Sequence, residues 1–229
     1  MKYIAIIAAM DEEVESIKKL MVDTSVKEIY ELQFTIGKIN EKEVVLTKCG
    51  VGKVNAARTT QVLIDKFDIE YIINVGTAGS LNDNIEIGDV VIAEKLVQHD
   101  FDVTAAGHEK GYISGIGKYF FSDKSLIEKA KLTIEQMNEE FNQHIGIIVT
   151  GDIFVQDIYV KNTIKEDFNA DCVEMEGAAI AQVCTLDKVP FIVIRAISDK
   201  PNGNNSIDFE TYLQTACERY AKFIDFFIK

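Results

Sequence analysis

The chain has 229 residues, of which 47% are hydrophobic and 27% are charged, as expected for a folded domain and not for a disordered or fibrous chain. Lys and Arg total 24 against 37 Asp and Glu, and the formal net charge of −13 argues against nucleic acid as a partner. No apolar run approaches the length that spans a bilayer. The apolar run at the N-terminus ends at Asp11, which predicts a buried first strand and not a signal peptide. We expect a single cytoplasmic domain covering residues 1–229, with no membrane partner.

Short apolar runs alternate with amphipathic segments, a pattern typical of an α/β protein with a central mixed, mostly parallel twisted sheet flanked by helices. The pattern predicts strands at Tyr3–Ala9, Ile29–Ile36, Glu43–Cys49, Tyr71–Val75, Asp89–Ala93, Ile145–Thr150 and Phe191–Ile197. It predicts helices at Asp11–Leu20, Lys53–Phe67, Asp123–Glu140, Lys161–Phe168, Gly177–Leu186 and Asp208–Ile228. Four glycines between residues 107 and 117 indicate a long irregular loop.

Cofactor and metal motifs are not supported by the spacing of the relevant residues. The four cysteines form no Cys-x-x-Cys pair, and the three histidines show no ligand spacing with them, so we expect neither a disulfide scaffold nor a metal. The Gly50–Lys53 turn resembles a P-loop, but Thr47 occupies the position of the first glycine and Val54 that of the Ser or Thr. A dinucleotide fingerprint fails as well, because its third glycine falls on Asn55. We therefore predict a structural strand-to-helix turn here, with neither ATP nor NAD.

Carboxylates beside apolar strands are the more informative groups. Glu13 follows the first predicted strand, Glu174 and Glu176 flank one methionine, and Asp199 ends an apolar run. Burial raises the pKa of such groups, which suits general acid–base chemistry, although each one alone is also compatible with a helix cap or surface turn. Arg195 lies inside an apolar strand, where an unpaired charge is costly. We predict that it pairs with Glu13 or Glu176.

Five segments in order carry a family resemblance. They are Ala9–Glu13, Gly76–Gly79, Gly151–Phe154, Val173–Gly177 and Arg195–Asp199. Together they resemble the bacterial 5′-methylthioadenosine/S-adenosylhomocysteine (MTA/SAH) nucleosidases of the nucleoside phosphorylase superfamily, essentially over the whole chain. The resemblance implies a nucleoside phosphorylase-like fold and an N-ribosyl hydrolase that needs no cofactor. Its substrates would be small 5′-thio-substituted adenosines, with 5′-deoxyadenosine as a further candidate. It would act in methionine salvage as a homodimer.

The resemblance also assigns catalytic roles. Asp199 would be the general acid that protonates adenine N7, with Ser198 holding its carboxyl group. Glu13 would be the general base for the attacking water, which Arg195 and Thr77 would help to fix. Glu176 would bind the ribose hydroxyls.

The substrate-binding residues follow from the same resemblance. Phe154 would stack on adenine, and the backbone of Val155 would contact the edge of the base. Met175 would pack against the sugar, while Met10 and Phe209 would line the 5′-thio pocket. The remaining residues that the resemblance places at the substrate are Ala78, Gly79 and Glu174.

Some departures from the family leave the substrate and the activity open. Close relatives place aromatic residues in a loop that reaches the 5′ pocket of the neighbouring subunit, where this chain has Ala105–His108, so the 5′ preference is open. Gly79 is followed by Ser80, where many relatives have a second glycine, and we expect this difference to have little consequence. A phosphorylase would need cations for phosphate, yet Asn74 stands where such enzymes commonly have arginine. The sequence is also compatible with a futalosine-type nucleoside hydrolase and with a non-catalytic nucleoside-binding protein.

Overall fold

The structure, a computed structural model, describes residues 2–200 and 205–229. Within these ranges it contains ten strands in one mixed sheet and six α-helices. The strands are β1 Tyr3–Ala8, β2 Val22–Ile29, β3 Leu32–Ile39, β4 Lys42–Lys48, β5 Ile69–Ser80, β6 Val90–Gln98, β7 Phe120–Phe121, β8 Gln143–Thr150, β9 Cys172–Glu174 and β10 Phe191–Asp199. The helices are α1 Asp11–Lys18, α2 Lys53–Lys66, α3 Lys124–Met137, α4 Ile158–Phe168, α5 Gly177–Asp187 and α6 Asn205–Phe227.

Strand β5 is the centre of the sheet. It pairs in parallel with β1 and β10, and its last two residues pair antiparallel with β9. From β1 the sheet continues through β4 and β3 to the edge strand β2. From β10 it continues through β6, β8 and β9 and returns to β5, so that five strands close a ring. The predicted mixed α/β sheet is confirmed.

Helices cover both faces of this sheet. Helices α1, α3 and α6 pack on one face over a cluster that includes Ile6, Ile92 and Ile194. On the other face, α2 and α5 pack together over Ile7 and Val193. Consecutive side chains of a strand point to opposite faces, so β1 and β10 contribute residues to both clusters. The central residues of both strands are buried. No helix in the described ranges is both long and apolar enough to cross a bilayer.

The structure corrects several predicted boundaries. Between the predicted strands Ile29–Ile36 and Glu43–Cys49 the chain turns at Asn40 and Glu41, whose positive φ angles of 47° and 63° suit a tight two-residue hairpin turn. The sequence pattern does not predict β2, β7 or β9, because β2 is an exposed edge strand without apolar alternation and the other two have at most three residues. Strand β5 also continues through the glycine-rich segment that the pattern places after its end.

Tyr220 fastens α6 to the middle of the sheet. Its hydroxyl donates to the carbonyl of Gly76 in β5 and accepts from the backbone N–H of Ala196 in β10, at 3.1 Å. The ring is buried in the core between these elements. This one hydroxyl therefore satisfies two buried backbone groups beside the segment that carries Arg195 and Asp199.

We expect Tyr220→Phe to lower the free energy of unfolding by about 1–3 kcal/mol, because it leaves a buried donor and a buried acceptor unpaired. Chemical denaturation followed by circular dichroism measures this loss. Tyr159, which is 78% exposed, provides the matched control, and Tyr159→Phe should leave the midpoint unchanged. Equal stability of Tyr220→Phe and the unmodified protein would contradict the anchoring role.

Candidate active site

A cavity of about 490 Å³ opens where the ends of β1, β5, β8, β9 and β10 meet. Except for Arg195, every residue predicted for the site lines this cavity. Those residues are Met10, Glu13, Thr77, Ala78, Gly79, Phe154, Val155, Glu174, Met175, Glu176, Ser198, Asp199 and Phe209. The five segments behind the family resemblance therefore converge in space.

The register of β5 explains this convergence. Gly76 lies opposite Arg195 of β10, and Gly79 lies between Asp199 of β10 and Val173 of β9. The small residues at this end of β5 let the neighbouring strands present their carboxylates over it. A Cβ on Gly76 would lie 3.3 Å from Arg195 Cζ and 3.4 Å from Glu13 Oε1, so little space remains for a larger residue.

Glu13 is held by backbone donors at the start of α1. Its Oε2 accepts hydrogen bonds from the N–H groups of Ala9 and Met10, at 3.0 and 3.1 Å, and the Thr77 N–H contributes another. The side chain is buried, and desolvation raises the pKa of its carboxyl group, against the opposing influence of Arg195 and the backbone donors. The arrangement produces a fixed carboxylate of increased basicity facing the cavity.

Arg195 pairs with Glu174, so the prediction that it pairs with Glu13 or Glu176 is wrong. Its Nη2 lies 2.5 Å from Glu174 Oε2 and 2.7 Å from Asn74 Oδ1. The guanidinium is buried against Gly76, on the same side of β5 as the Glu13 carboxylate, and does not line the cavity. The reason is the short strand β9, which the sequence pattern does not predict and which brings Glu174 alongside β5.

The Glu174 carboxylate is fully engaged with protein donors. Besides Arg195 it accepts from the Thr150 hydroxyl and from the backbone N–H groups of Glu176 and Gly177, the latter at 3.1 and 2.7 Å. Glu174 lines the cavity, as predicted, but its acceptor oxygens face the protein. Its position suits a support for Arg195 and for the start of α5 better than a direct substrate ligand.

Glu176 is a second buried carboxylate whose pKa is raised. Desolvation and the neighbouring charge of Glu174 raise its pKa from 4.5 to about 7, while Arg195 and the Gly52 N–H oppose the shift. Its Oε1 accepts the Gly52 N–H at 2.8 Å, at the N-terminus of α2. The Gly50–Lys53 turn is thus structural, as predicted, and it also supplies a donor to a site carboxylate.

Asp199 and the aromatic wall complete the cavity. Ser198 Oγ donates to Asp199 Oδ1 at 2.7 Å, which orients a carboxyl group that is itself buried at the end of β10. Phe154 and Phe209 meet edge to face, with ring centroids 6.2 Å apart. Both rings line the cavity, where they provide flat apolar surface beside the carboxylates.

Comparisons with known proteins agree with this geometry. The sequence profile described as Phosphorylase superfamily matches residues 3–229. The 5′-methylthioadenosine/S-adenosylhomocysteine nucleosidase of Staphylococcus epidermidis is 44% identical over 214 residues, 93% of each chain. The enzyme of that name from Neisseria meningitidis, solved with methylthio-immucillin-A, superposes with a TM-score of 0.96 at 36% identity, covering 100% of this chain and 99% of that one.

The chain belongs to the MTA/SAH nucleosidases of the phosphorylase superfamily. The resemblance predicted from five sequence segments is therefore confirmed. A futalosine hydrolase of Helicobacter pylori is also similar, with a TM-score of 0.94 at 32% identity, covering 99% of this chain and 97% of that one. The fold is thus common to this family and to a protein named as a futalosine hydrolase.

Sequence reasoning missed several members of this nucleosidase cavity. Val51, Ile153 and Gln156 line it, although none of them is among the predicted site residues. Asn74 and Thr150 lie behind it and bind Arg195 and Glu174. Polar residues within or at the end of buried apolar strands are the signal that would have indicated the last two, because buried polar groups need partners.

The raised pKa of Glu176 predicts a pH-dependent cost to folding. Ionising this carboxylate opposes folding, so the cost is absent below about pH 4.5, grows as the pH rises, and is complete above about pH 7. Glu176→Gln cannot ionise, and we expect it to gain stability relative to the unmodified protein across that interval, by up to roughly 3 kcal/mol. Denaturant unfolding at several pH values measures this gain.

Exposed Glu166, changed to Gln, is the control, and its stability difference should stay flat over the same pH range. A stability difference for Glu176→Gln that does not change between pH 4.5 and 7 would refute the raised pKa.

Proposed function

We propose that this protein hydrolyses the N-glycosidic bond of 5′-methylthioadenosine and S-adenosylhomocysteine, and of 5′-deoxyadenosine. The products are adenine and methylthioribose, S-ribosylhomocysteine or 5-deoxyribose. The observation that carries the proposal is the group of buried carboxylates around one cavity of about 490 Å³ in a chain of this nucleosidase family. Residues 1–229 would act as one nucleosidase domain in the cytoplasm, in methionine salvage.

Departure of adenine requires a proton on the base. Asp199, oriented by Ser198, donates that proton to N7, so that adenine leaves as a neutral molecule. The C1′–N9 bond breaks with its electrons passing to the base, and the ribose becomes an oxocarbenium-like cation. The surrounding buried carboxylates stabilise this positive charge.

Water then attacks the anomeric carbon. Glu13 accepts a proton from this water as general base, and its raised pKa makes it a better proton acceptor than an exposed glutamate. Thr77 lies next to Glu13 in the cavity wall and helps to position the water. Arg195 does not line the cavity and contributes through its charge, which limits the rise in the pKa of Glu13.

Substrate is held by three groups of contacts. Glu176 accepts hydrogen bonds from the ribose hydroxyls, and Met175 packs against the sugar. Phe154 stacks on adenine, and the backbone of Val155 contacts the edge of the base. Met10 and Phe209 surround the 5′ substituent, and the small residues Ala78 and Gly79 give the nucleoside room above β5.

Water, and not phosphate, is the nucleophile. Among the described residues that line the cavity there is no lysine or arginine, whereas a phosphorylase must hold a phosphate with cationic donors. Asn74, at the position where related phosphorylases commonly have arginine, instead binds the Ile7 carbonyl and Arg195. A purely nucleoside-binding role is disfavoured as well, because binding alone does not require a buried base such as Glu13.

We propose a homodimer in which the loop at residues 105–108 of one subunit approaches the 5′ pocket of the other. In this chain the loop is exposed, and the His108 ring stacks on Tyr112 with centroids 4.9 Å apart. An imidazole in this position would make the 5′ pocket more polar than the phenylalanine or tyrosine of close relatives. The similarity to the Helicobacter pylori futalosine hydrolase makes a futalosine-type nucleoside the second candidate substrate.

The decisive assay is adenine release from 5′-methylthioadenosine by purified protein, in buffers with and without phosphate. We expect equal release in both buffers, with free methylthioribose as the co-product. Adenine release that requires phosphate would show that the protein is a phosphorylase and not a hydrolase. Futalosine, assayed in parallel, should be cleaved much more slowly, and the reverse preference would establish the second candidate.

Removing the acid or the base should stop turnover without unfolding the protein. We expect Asp199→Asn and Glu13→Gln each to lower kcat by about 100-fold or more, because a positioned proton donor or acceptor contributes that much. Glu166→Gln is the control on an exposed surface and should keep full activity. Full activity of Glu13→Gln would show that another group activates the water.

A further inference from the structure

Three residues beside the cavity form a closed ring of hydrogen bonds, called here the Asp100 ring. Lys53 Nζ donates to Asp100 Oδ1 at 2.6 Å, the Asp152 N–H donates to Asp100 Oδ2 at 2.9 Å, and the Lys53 N–H donates to Asp152 Oδ1 at 2.8 Å. Lys53 also donates to Gln98 at the end of β6, at 3.1 Å. The ring thus joins three segments that are distant in sequence: the end of β6, the start of α2 and the end of β8.

Two arms lead from the Asp100 ring to the cavity. Through Lys53 it fixes the N-terminus of α2, where the neighbouring Gly52 N–H donates to Glu176 at 2.8 Å. Through Asp152 it fixes the start of the segment whose next residues, 153–155, line the cavity. One arm ends at the carboxylate assigned to ribose, and the other ends at the wall assigned to adenine.

We propose that Asp100, Lys53 and Asp152 are positioning residues that hold the ribose-binding carboxylate Glu176 and the adenine-binding segment 153–155 at a fixed separation. This inference rests on the proposed function and adds residues that touch no substrate. The distance between ribose and base contacts matters because the glycosidic bond that breaks lies between them, and misplacing either contact lowers the rate.

The chemistry of the ring explains the residue types. Asp100 must accept from two donors at once, and a carboxylate offers two acceptor oxygens whereas an asparagine offers one. These charge-assisted bonds lower the pKa of Asp100 although its partial burial opposes the shift. Gly52 is equally constrained, because its φ is +97° and a Cβ there would lie 3.0 Å from Asp152 Oδ1.

Asp100→Asn and Lys53→Met test the proposal in the full-length protein. We expect each to lower kcat/KM for 5′-methylthioadenosine by about tenfold or more, as for loss of a charge-assisted hydrogen bond. The double variant should be little worse than either single variant, because one broken bond already opens the ring. Glu128→Gln, which removes an exposed ion pair with Lys131, is the control and should keep the kinetics unchanged.

A ligand-free readout separates this proposal from the proposed function. The groups that face Glu176 are Glu174, Glu13, Arg195 and the Gly52 N–H. Of these, the ring controls only the placement of the Gly52 N–H, which favours the charged carboxylate. The Glu176 carboxyl carbon, titrated by 13C NMR, should therefore show a higher pKa in Asp100→Asn and Lys53→Met than in the unmodified protein.

The kinetic and NMR results together decide whether the Asp100 ring positions Glu176. If both variants fold, as judged by circular dichroism, and retain the kinetics and the Glu176 titration of the unmodified protein, the proposal is overturned. Additive losses in the double variant, with an unshifted titration, would also overturn it, since they indicate two independent structural effects. If the unmodified protein releases no adenine, the proposed function fails, while the NMR titration still decides whether the ring positions Glu176.

Discussion

The buried ion pair between Arg195 and Glu174 is the interaction on which the rest of the site depends. Both side chains are about 1% exposed, and separating either from its partner would leave an uncompensated charge in the protein interior. Asn74 accepts a further hydrogen bond from Arg195, and Thr150 and the start of α5 donate to Glu174, while Arg195 Nε has no hydrogen-bond partner among the described residues. The pair therefore determines where β5, β9 and β10 lie relative to one another, and hence where the site carboxylates lie.

This pair also sets the electrostatics of the carboxylates that it does not neutralise. The negative charge of Glu174 raises the pKa of Glu176, whereas Arg195 limits the rise for both Glu176 and Glu13. Desolvation contributes most to each shift, so burial of the two carboxylates is as important for their pKa values as the neighbouring charges. An enzyme that needs one acid, one base and one stabilising anion obtains these roles from similar side chains in different surroundings.

The sequence predicts much of this arrangement and fails at identifiable places. Long buried strands such as β1 and β10 carry a strong apolar signal, and the site carboxylates follow them directly. Strand β2 escapes prediction because an exposed edge strand has no burial pattern. The partner of Arg195 also escapes it, since three-residue β9 is formed by pairing with distant strands and not by local preference. Long-range register is the information that a single sequence does not display.

Backbone amides, and not cationic side chains, hold two of the carboxylates that face the cavity. Glu13 is bound by the N–H groups of Ala9 and Met10, and Glu176 by that of Gly52. A lysine or arginine in the cavity wall would stabilise these carboxylates more strongly, but its full positive charge would oppose the cationic ribose of the transition state. Amide dipoles carry only partial charge and are fixed in place by the fold. Arg195 is paired with Glu174 and does not line the cavity, so its charge limits the rise in the pKa of Glu13 and Glu176 without a cation in the cavity wall.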